Sequence, residues 1–271
     1  MIRRLLFLLL LMMFGCGDPG SSAGAPSASA MQENNRGVGL MGSFDYNGAF
    51  MIFNDLAEAY PDWTPVLINR EIARLNRQQA DDELTALEQL SLIAERTGDV
   101  RARYMAGLLQ FNQGDLLGAY DSFQSVVDSD PSDAYALYYL GQVEQQRGET
   151  EQALVQYEGA MELDPYLRSA IYGASLAARR TGKVARADEL LELFQALEDN
   201  PRARLAEIKY TRMGPKAMAL VVDQEDPVAA PAPEGSLFST PATIAGAYRF
   251  TSEASCTASD IDGDGDIDVF V

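Results

Sequence analysis

A spacing of 34 residues recurs through the middle of this sequence, and no other feature limits the possible folds as strongly. Gly114, Gly148 and Gly182 stand at that interval, as do Ala119, Ala153 and Ala187, the bulky set Phe123, Tyr157 and Leu191, and the pair Pro131 and Pro165. Each class suits one place in a helix-turn-helix unit. The glycine can take the left-handed conformation that ends a first helix, the alanine lets two helices approach, and the proline stops the second. Gly107, Gly141 and Ser175 supply the matching small residue on the first helix. One such unit cannot bury its own apolar stripe, so successive units must stack. A chain of 271 residues, 47% of them hydrophobic, has enough apolar surface to build that stack.

These residues resemble tetratricopeptide repeats, whose 34-residue pattern places the same residue types at the same offsets. Three repeats are clear, at about 100–133, 134–167 and 168–201. Two weaker ones precede them. In 30–63, Ala49, Phe53 and Pro61 fit; in 64–99, Ala86 and Leu90 fit only after an insertion near Gln78 to Asp82. Pro201 falls two residues late for the last repeat. A further helix, Ala203 to Tyr210, stopped near Gly214 and Pro215, is expected to cap the stack. The expected fold class is therefore all-α, a superhelical solenoid over 31–216, followed by a linker at 217–241 and a fragment of a different, β-rich unit at 242–271.

The resemblance implies a concave groove lined by the first helices, which in this family binds extended peptides or helices. Carried over, the pattern puts Tyr104, Tyr138 and Tyr172 in the groove, again 34 apart, with Phe111, Tyr135, Gln142, Gln145 and Arg179 nearby. A row of tyrosines offers rigid contact area and hydroxyl hydrogen bonds. Each tyrosine taken singly also suits packing between helices. The row as a whole favours recognition.

The two ends of the chain carry other signals. Arg3 and Arg4 precede the apolar run Leu5 to Phe14, which is too short to cross a bilayer of roughly 30 Å but has the form of an export signal at 1–15. Met13-Phe14-Gly15-Cys16 resembles the lipobox of bacterial lipoproteins, which implies cleavage before Cys16, acylation of that cysteine, and an envelope location, periplasmic or at the cell surface. An ordinary signal peptide with a coincidental cysteine is the other reading. Residues 16–30, rich in Gly, Ser, Ala and Pro, then form a tether.

At the far end, Asp260, Asp262, Asp264 and Asp268 with Gly265 follow the spacing that converges hard oxygen ligands on calcium, the carbonyl of Asp266 completing the set. The expected strand after it, from Ile267, and the absence of Glu at loop position 12 separate it from an EF-hand. The pattern resembles the FG-GAP or VCBS loops of β-propellers, and the order of segments resembles proteins of the ASPIC/UnbV type. A propeller needs at least four blades, so this resemblance implies a truncated chain. A solvated acidic tail is the alternative.

Composition removes several function classes. With 21 basic against 40 acidic residues the formal net charge is -19, which repels nucleic acid. No histidine is present, so histidine-based acid-base, triad and zinc chemistry are all excluded. The expected function is a non-catalytic scaffold that binds a protein or peptide in the groove while held to a membrane by its lipid. The alternative is calcium-dependent adhesion or glycan binding through the C-terminal unit, with the repeats as a stalk.

Overall fold

The computed structural model describes residues 25–222 and the backbones of two short strands, 257–259 and 268–270. The chain divides between Gln224 and Glu225 into two units. In the first, ten α-helices follow one another: α1 (Ala28–Gly42), α2 (Tyr46–Ala59), α3 (Thr64–Arg77), α4 (Asp82–Thr97), α5 (Val100–Gln113), α6 (Leu116–Ser129), α7 (Ala134–Gln146), α8 (Thr150–Leu163), α9 (Arg168–Arg180) and α10 (Val184–Ala196). Each packs on its neighbours in sequence, so the stack is built as five antiparallel pairs, a tetratricopeptide-type solenoid.

The periodic residues do the work expected of them. Gly98, Gly114, Gly148 and Gly182 have φ of 71°, 81°, 85° and 80°, a left-handed conformation that lets the chain reverse after a helix. Aspartates start the next helices: Asp99 accepts from the Arg101 and Ala102 amides, and Asp133 from those of Tyr135 and Ala136. Inside each pair a small residue faces a large one. A Cβ on Gly141 would stand 2.9 Å from the Tyr157 ring, so only glycine lets α7 approach α8 this closely. Between repeats the aromatics interlock: Phe123 stacks on Tyr139 at 5.5 Å, and Tyr104 meets both edge-on. In α10 the buried leucine is Leu190, one residue before the Leu191 of the repeat pattern. The insertion after the second repeat's first helix is real. Gln78 and Asp81 both take positive φ and lengthen the α3–α4 turn, and Arg77 reaches across it to Asp82 at 2.6 Å.

The expected capping helix does not form. From Leu197 onward the chain turns at Asn200–Ala203 and continues as extended backbone with a loop at 207–212 and one 3₁₀ turn at Pro215–Ala217. The sequence Ala203 to Tyr210 has ordinary helix formers, but its polar backbone groups find partners on the solenoid instead. Arg204 pairs with the turn before α9, its N–H donating to Tyr166 O at 2.8 Å while its own carbonyl accepts from the Arg168 N–H at 2.9 Å. Tertiary bonding overrides local propensity here. The expected linker also starts too early in the sequence reading, since residues 217–222 are packed against the helices rather than free of them: Ala217 is 1% exposed.

In the second unit, Thr257–Ser259 (β1) pairs antiparallel with Asp268–Phe270 (β2), Ala258 opposite Val269. The strand expected after the aspartate-rich loop is thus present at Asp268–Phe270.

Candidate functional site

The first helices α1, α3, α5, α7 and α9 line one face of the stack, and that face is covered. Residues 204–222 run along it from α9 back to α1, opposite to the order of the repeats. At α9 the Ala206 N–H donates to Ser169 Oγ at 2.9 Å. At α7 and α5 the strap buries Met213 and Gly214, and the Tyr104 hydroxyl donates to the Met213 carbonyl. Gly214 has φ 101°, and a Cβ there would lie 2.7 Å from Tyr104 Oη and 2.9 Å from Tyr135 Cγ. No other residue fits that crossing.

Further along, the Arg101 guanidinium donates to the Met218 carbonyl at 2.6 Å. At α3 and α1 the grip becomes amide to backbone. Asn69 accepts from the Leu220 N–H at 2.7 Å and returns a bond to the Leu220 carbonyl at 2.9 Å, which Asn34 also contacts at 3.0 Å. Asn35 does the same for Val222, at 2.9 and 3.0 Å. Carboxamides have both a donor and an acceptor, so a single Asn can satisfy both backbone groups of one extended residue, as a neighbouring strand would. Asn34 and Asn69 are fully buried beneath the strap and bond to each other at 2.9 Å.

Three side chains anchor the strap: Arg204, paired with Asp164 at 2.7 Å, Tyr210 and Lys216. Tyr210 is 2% exposed, packs edge-on against Tyr46 at 5.9 Å, and its hydroxyl accepts from the Ala219 N–H. Lys216 Nζ lies 2.5 Å from Asp130 and 2.7 Å from Asp133. The hydrogen bond from Lys216, with a second from Ser132, holds the Asp130 carboxyl down at about 2. Burial works against the Lys216 ammonium, but its bonds to the two aspartates outweigh it and raise its pKa. Asp133 thus caps α7 with one oxygen and binds the strap with the other. Beside this contact lies an open cleft of about 780 Å³, with Asp130, Asp164, Tyr166, Arg202 and Arg204 among its walls.

The residues expected to bind a partner separate into three groups. Tyr104 and Tyr135 do face the groove, but the strap covers them, leaving Tyr104 fully buried and Tyr135 nearly so; burial pushes both phenols up, Tyr104 well above the usual range. Tyr138, Gln142, Gln145 and Phe111 serve packing. Tyr138 lies against Tyr139 and Tyr157 and accepts from Gln142 at 3.0 Å. Gln145 accepts from the Tyr157 hydroxyl at 3.0 Å, and Phe111 packs on the core. Only Tyr172 and Arg179 are exposed, Tyr172 against Phe194 and Arg179 paired with Asp188 at 2.6 Å. Cys16, Asp260, Asp262, Asp264 and Asp266 lie outside the described residues, and of Asp268 only the backbone, in β2, is described.

Sequence reasoning did not single out Asn34, Asn35, Asn69, Arg101, Asp130 or Lys216. A signal for one of them was present. Asn34 stands three residues before Gly37, as Tyr104 stands three before Gly107, so it occupies the same groove position in its repeat as Tyr104.

Comparison with known proteins agrees with this geometry. Residues 101–133 match the tetratricopeptide repeat family, which covers α5 and α6. No curated protein matches the sequence at a significant level. Among solved structures, a MamA RS-1 double mutant superposes with a TM-score of 0.57 at 19% identity, over 64% of this chain and 97% of that one. MamA from Desulfovibrio magneticus RS-1, residues 41 to the end, gives 0.56 at 19% identity over the same shares. Another MamA crystal structure gives 0.53 at 23% identity, covering 60% of this chain and 94% of that one. At such identities the likeness speaks to architecture, and the architecture is that of a tetratricopeptide-type helical solenoid.

Proposed function

We propose that this chain is a non-catalytic interaction scaffold whose groove grips extended polypeptide. One observation carries the reading: the groove already grips one, its own residues 204–222, through backbone bonds from Asn35 and Asn69 at 2.7–3.0 Å and side-chain anchors at Tyr210 and Lys216. Contacts to main-chain groups do not depend on the sequence of the bound chain, so the same surface suits other extended segments. The groove of the resembled family is used in this way, and the present grip is consistent with it.

The test is binding in trans. A chain ending at Pro201 leaves the groove open, and a synthetic peptide of residues 202–222 is titrated into it by calorimetry. Saturable binding that is lost when Asn34 and Asn69 are both changed to Ala supports the reading. An open solenoid that retains its helical circular dichroism yet ignores the peptide rejects it.

The location proposed for this scaffold is the bacterial cell envelope, anchored through acylated Cys16, on the strength of the Arg3-Arg4 and Leu5–Phe14 pattern. Labelled palmitate entering the wild-type protein, and not a Cys16→Ser variant, is the expected result. A second reading, calcium binding by the aspartate-rich loop with adhesion through the C-terminal unit, is favoured by one observation. The loop lies between paired strands, Ser259 opposite Asp268. Calorimetric titration of the full chain with calcium decides it, since absence of heat removes that reading.

A further inference from the structure

The strap is bound by charge as well as by backbone, and the charges belong to the repeat itself. Asp130 and Asp164 stand one period apart, each as the residue that closes a second helix, α6 and α8. Each takes one cation from the strap: Asp130 takes Lys216 at 2.5 Å and Asp164 takes Arg204 at 2.7 Å. Asp133 adds a second bond to Lys216. In a chain of net charge -19, the stretch 202–216 carries Arg202, Arg204, Lys209, Arg212 and Lys216 against the single acid Glu207. The solenoid is acidic where this segment is basic.

The two ends of the strap are held differently. Toward α1 its backbone is gripped from below, with Ala219 buried and Asn34 and Asn69 sealed beneath it while the Leu220 and Val221 side chains face solvent. Between Asp130 and Asp164 it is more open. The 780 Å³ cleft opens beside both ion pairs, Arg202 and Arg204 are exposed, and the loop 207–212 stands in solvent apart from Tyr210. An incoming chain therefore has access to the carboxylates that hold the strap before it has access to the asparagines.

From this we infer that residues 204–222 act as an internal ligand, and that the external partner is an extended basic polypeptide that takes their place, entering at the Asp130–Asp133–Asp164 cleft. The inference rests on the groove reading above and adds the partner's chemistry and its regulation. A tethered segment competes at an effective concentration in the millimolar range, so the resident strap keeps weak ligands out. Cations spaced like Arg204 and Lys216 make a competitor strong, because each replaces a charge-assisted bond that the strap gives up.

The experiment uses the full chain and a fluorescent synthetic peptide, residues 202–222, followed by anisotropy. Three proteins are compared: wild type, Lys216→Gln and Lys216→Glu. The expected order is weak binding by wild type, intermediate by Lys216→Gln, and at least about tenfold tighter binding by Lys216→Glu, because loss of two charge-assisted bonds and a new repulsion release the internal segment. A peptide with glutamate at both positions 204 and 216 is expected not to bind any of them. Lys216→Gln keeps the test alive if the reversed charge disturbs folding, which circular dichroism reports.

Native-state hydrogen exchange of the wild-type Arg204, Ala206, Leu220 and Val222 amides separates the ways to fail. If these amides are protected but all three proteins bind the peptide equally weakly, the strap is a fixed part of the fold and the inference is overturned while the groove reading stands. If the amides are unprotected, both fall. If the acidic peptide binds as well as the basic one, the basic partner is overturned.

Discussion

The helices of the stack and the strap that crosses them are equally well buried in places, yet they reach burial by different routes. In α5 to α8 each contact joins residues near in sequence: Gly107 meets Phe123 and Gly141 meets Tyr157. In the strap the partners are remote. Tyr104 bonds to Met213, Asn69 to Leu220 and Asn35 to Val222. Local contacts can be made repeat by repeat, and each one stabilises helices that are already favoured by their own sequence. The strap has little regular structure of its own, so its order depends on the finished groove. It is the part of the molecule expected to open first, because local unfolding is drawn from segments with much exposed backbone and little regular structure, as at 207–212 and 220–221.

The sharpest way to break the contrast is to damage each part where it is most buried. Phe123 is completely enclosed, between Gly107, Tyr104 and Tyr139. Phe123→Ala should cost about 3–5 kcal/mol of unfolding free energy, read by denaturant titration, with strap and helices lost together. Tyr210→Ala should cost about 1.5–3 kcal/mol. Its signature is different: hydrogen exchange should quicken at Ala219, Leu220 and Val222 while helical circular dichroism stays unchanged. If Tyr210→Ala instead reduces helicity as Phe123→Ala does, the strap is not a separable layer.

The same contrast explains what was legible in the sequence. The repeats were readable because their constraint is periodic: Gly114, Gly148 and Gly182 each need a positive φ for the same reason, and that need shows as a fixed spacing. The groove tyrosines were only half readable. Tyr104 does sit at the groove, but its neighbour at the next period, Tyr138, points its hydroxyl to Gln142 within its own helix. The strap was not readable, since Ala203 to Tyr210 has helical composition and nothing nearby records that Arg204 will bond to Tyr166 and Arg168. Pro201, two residues late, was the only local sign that the pattern ends there. Gly214-Pro215 was read as the stop of a helix, whereas it marks the place where the backbone passes between Tyr104 and Tyr135.

Asn69 sharpens the comparison further, because it belongs to the stack by sequence and to the strap by contact. Asn69→Ala removes two bonds to Leu220 and leaves Asn34 without one of its partners. The expected cost is about 1–3 kcal/mol, confined to exchange at Leu220 and its neighbours. Asn69→Asp is a useful companion. It keeps an acceptor for the Leu220 N–H but sets a buried carboxylate oxygen against the Leu220 carbonyl and Asn34 Oδ1, where the amide had donated, so protection at Leu220 should fall at least as far as in Asn69→Ala.

The smallest effect expected is the pH dependence of the Lys216 contact. Asp130 titrates at about 2 in the folded chain, below its ordinary 3.8, so its contribution is present above the ordinary value and is lost as pH falls through about 2. Lys216 is shifted upward from 10.5, so its contribution is complete below that value and is lost as pH rises through the higher folded value. The contact should therefore be constant from about pH 4 to about pH 10. Asp130 is 37% exposed, so solvent screening limits the whole effect to about 1 kcal/mol or less. The measurement is the ratio of strap to helix amide protection, taken at pH 3 and pH 6 and again at high salt. The ratio should fall modestly at pH 3 and at high salt in wild type, and change far less in Lys216→Gln. An equal fall in both proteins would mean that the Lys216 contact with Asp130 and Asp133 contributes nothing to the grip, and that the pH and salt response comes from the remaining pair of Arg204 with Asp164.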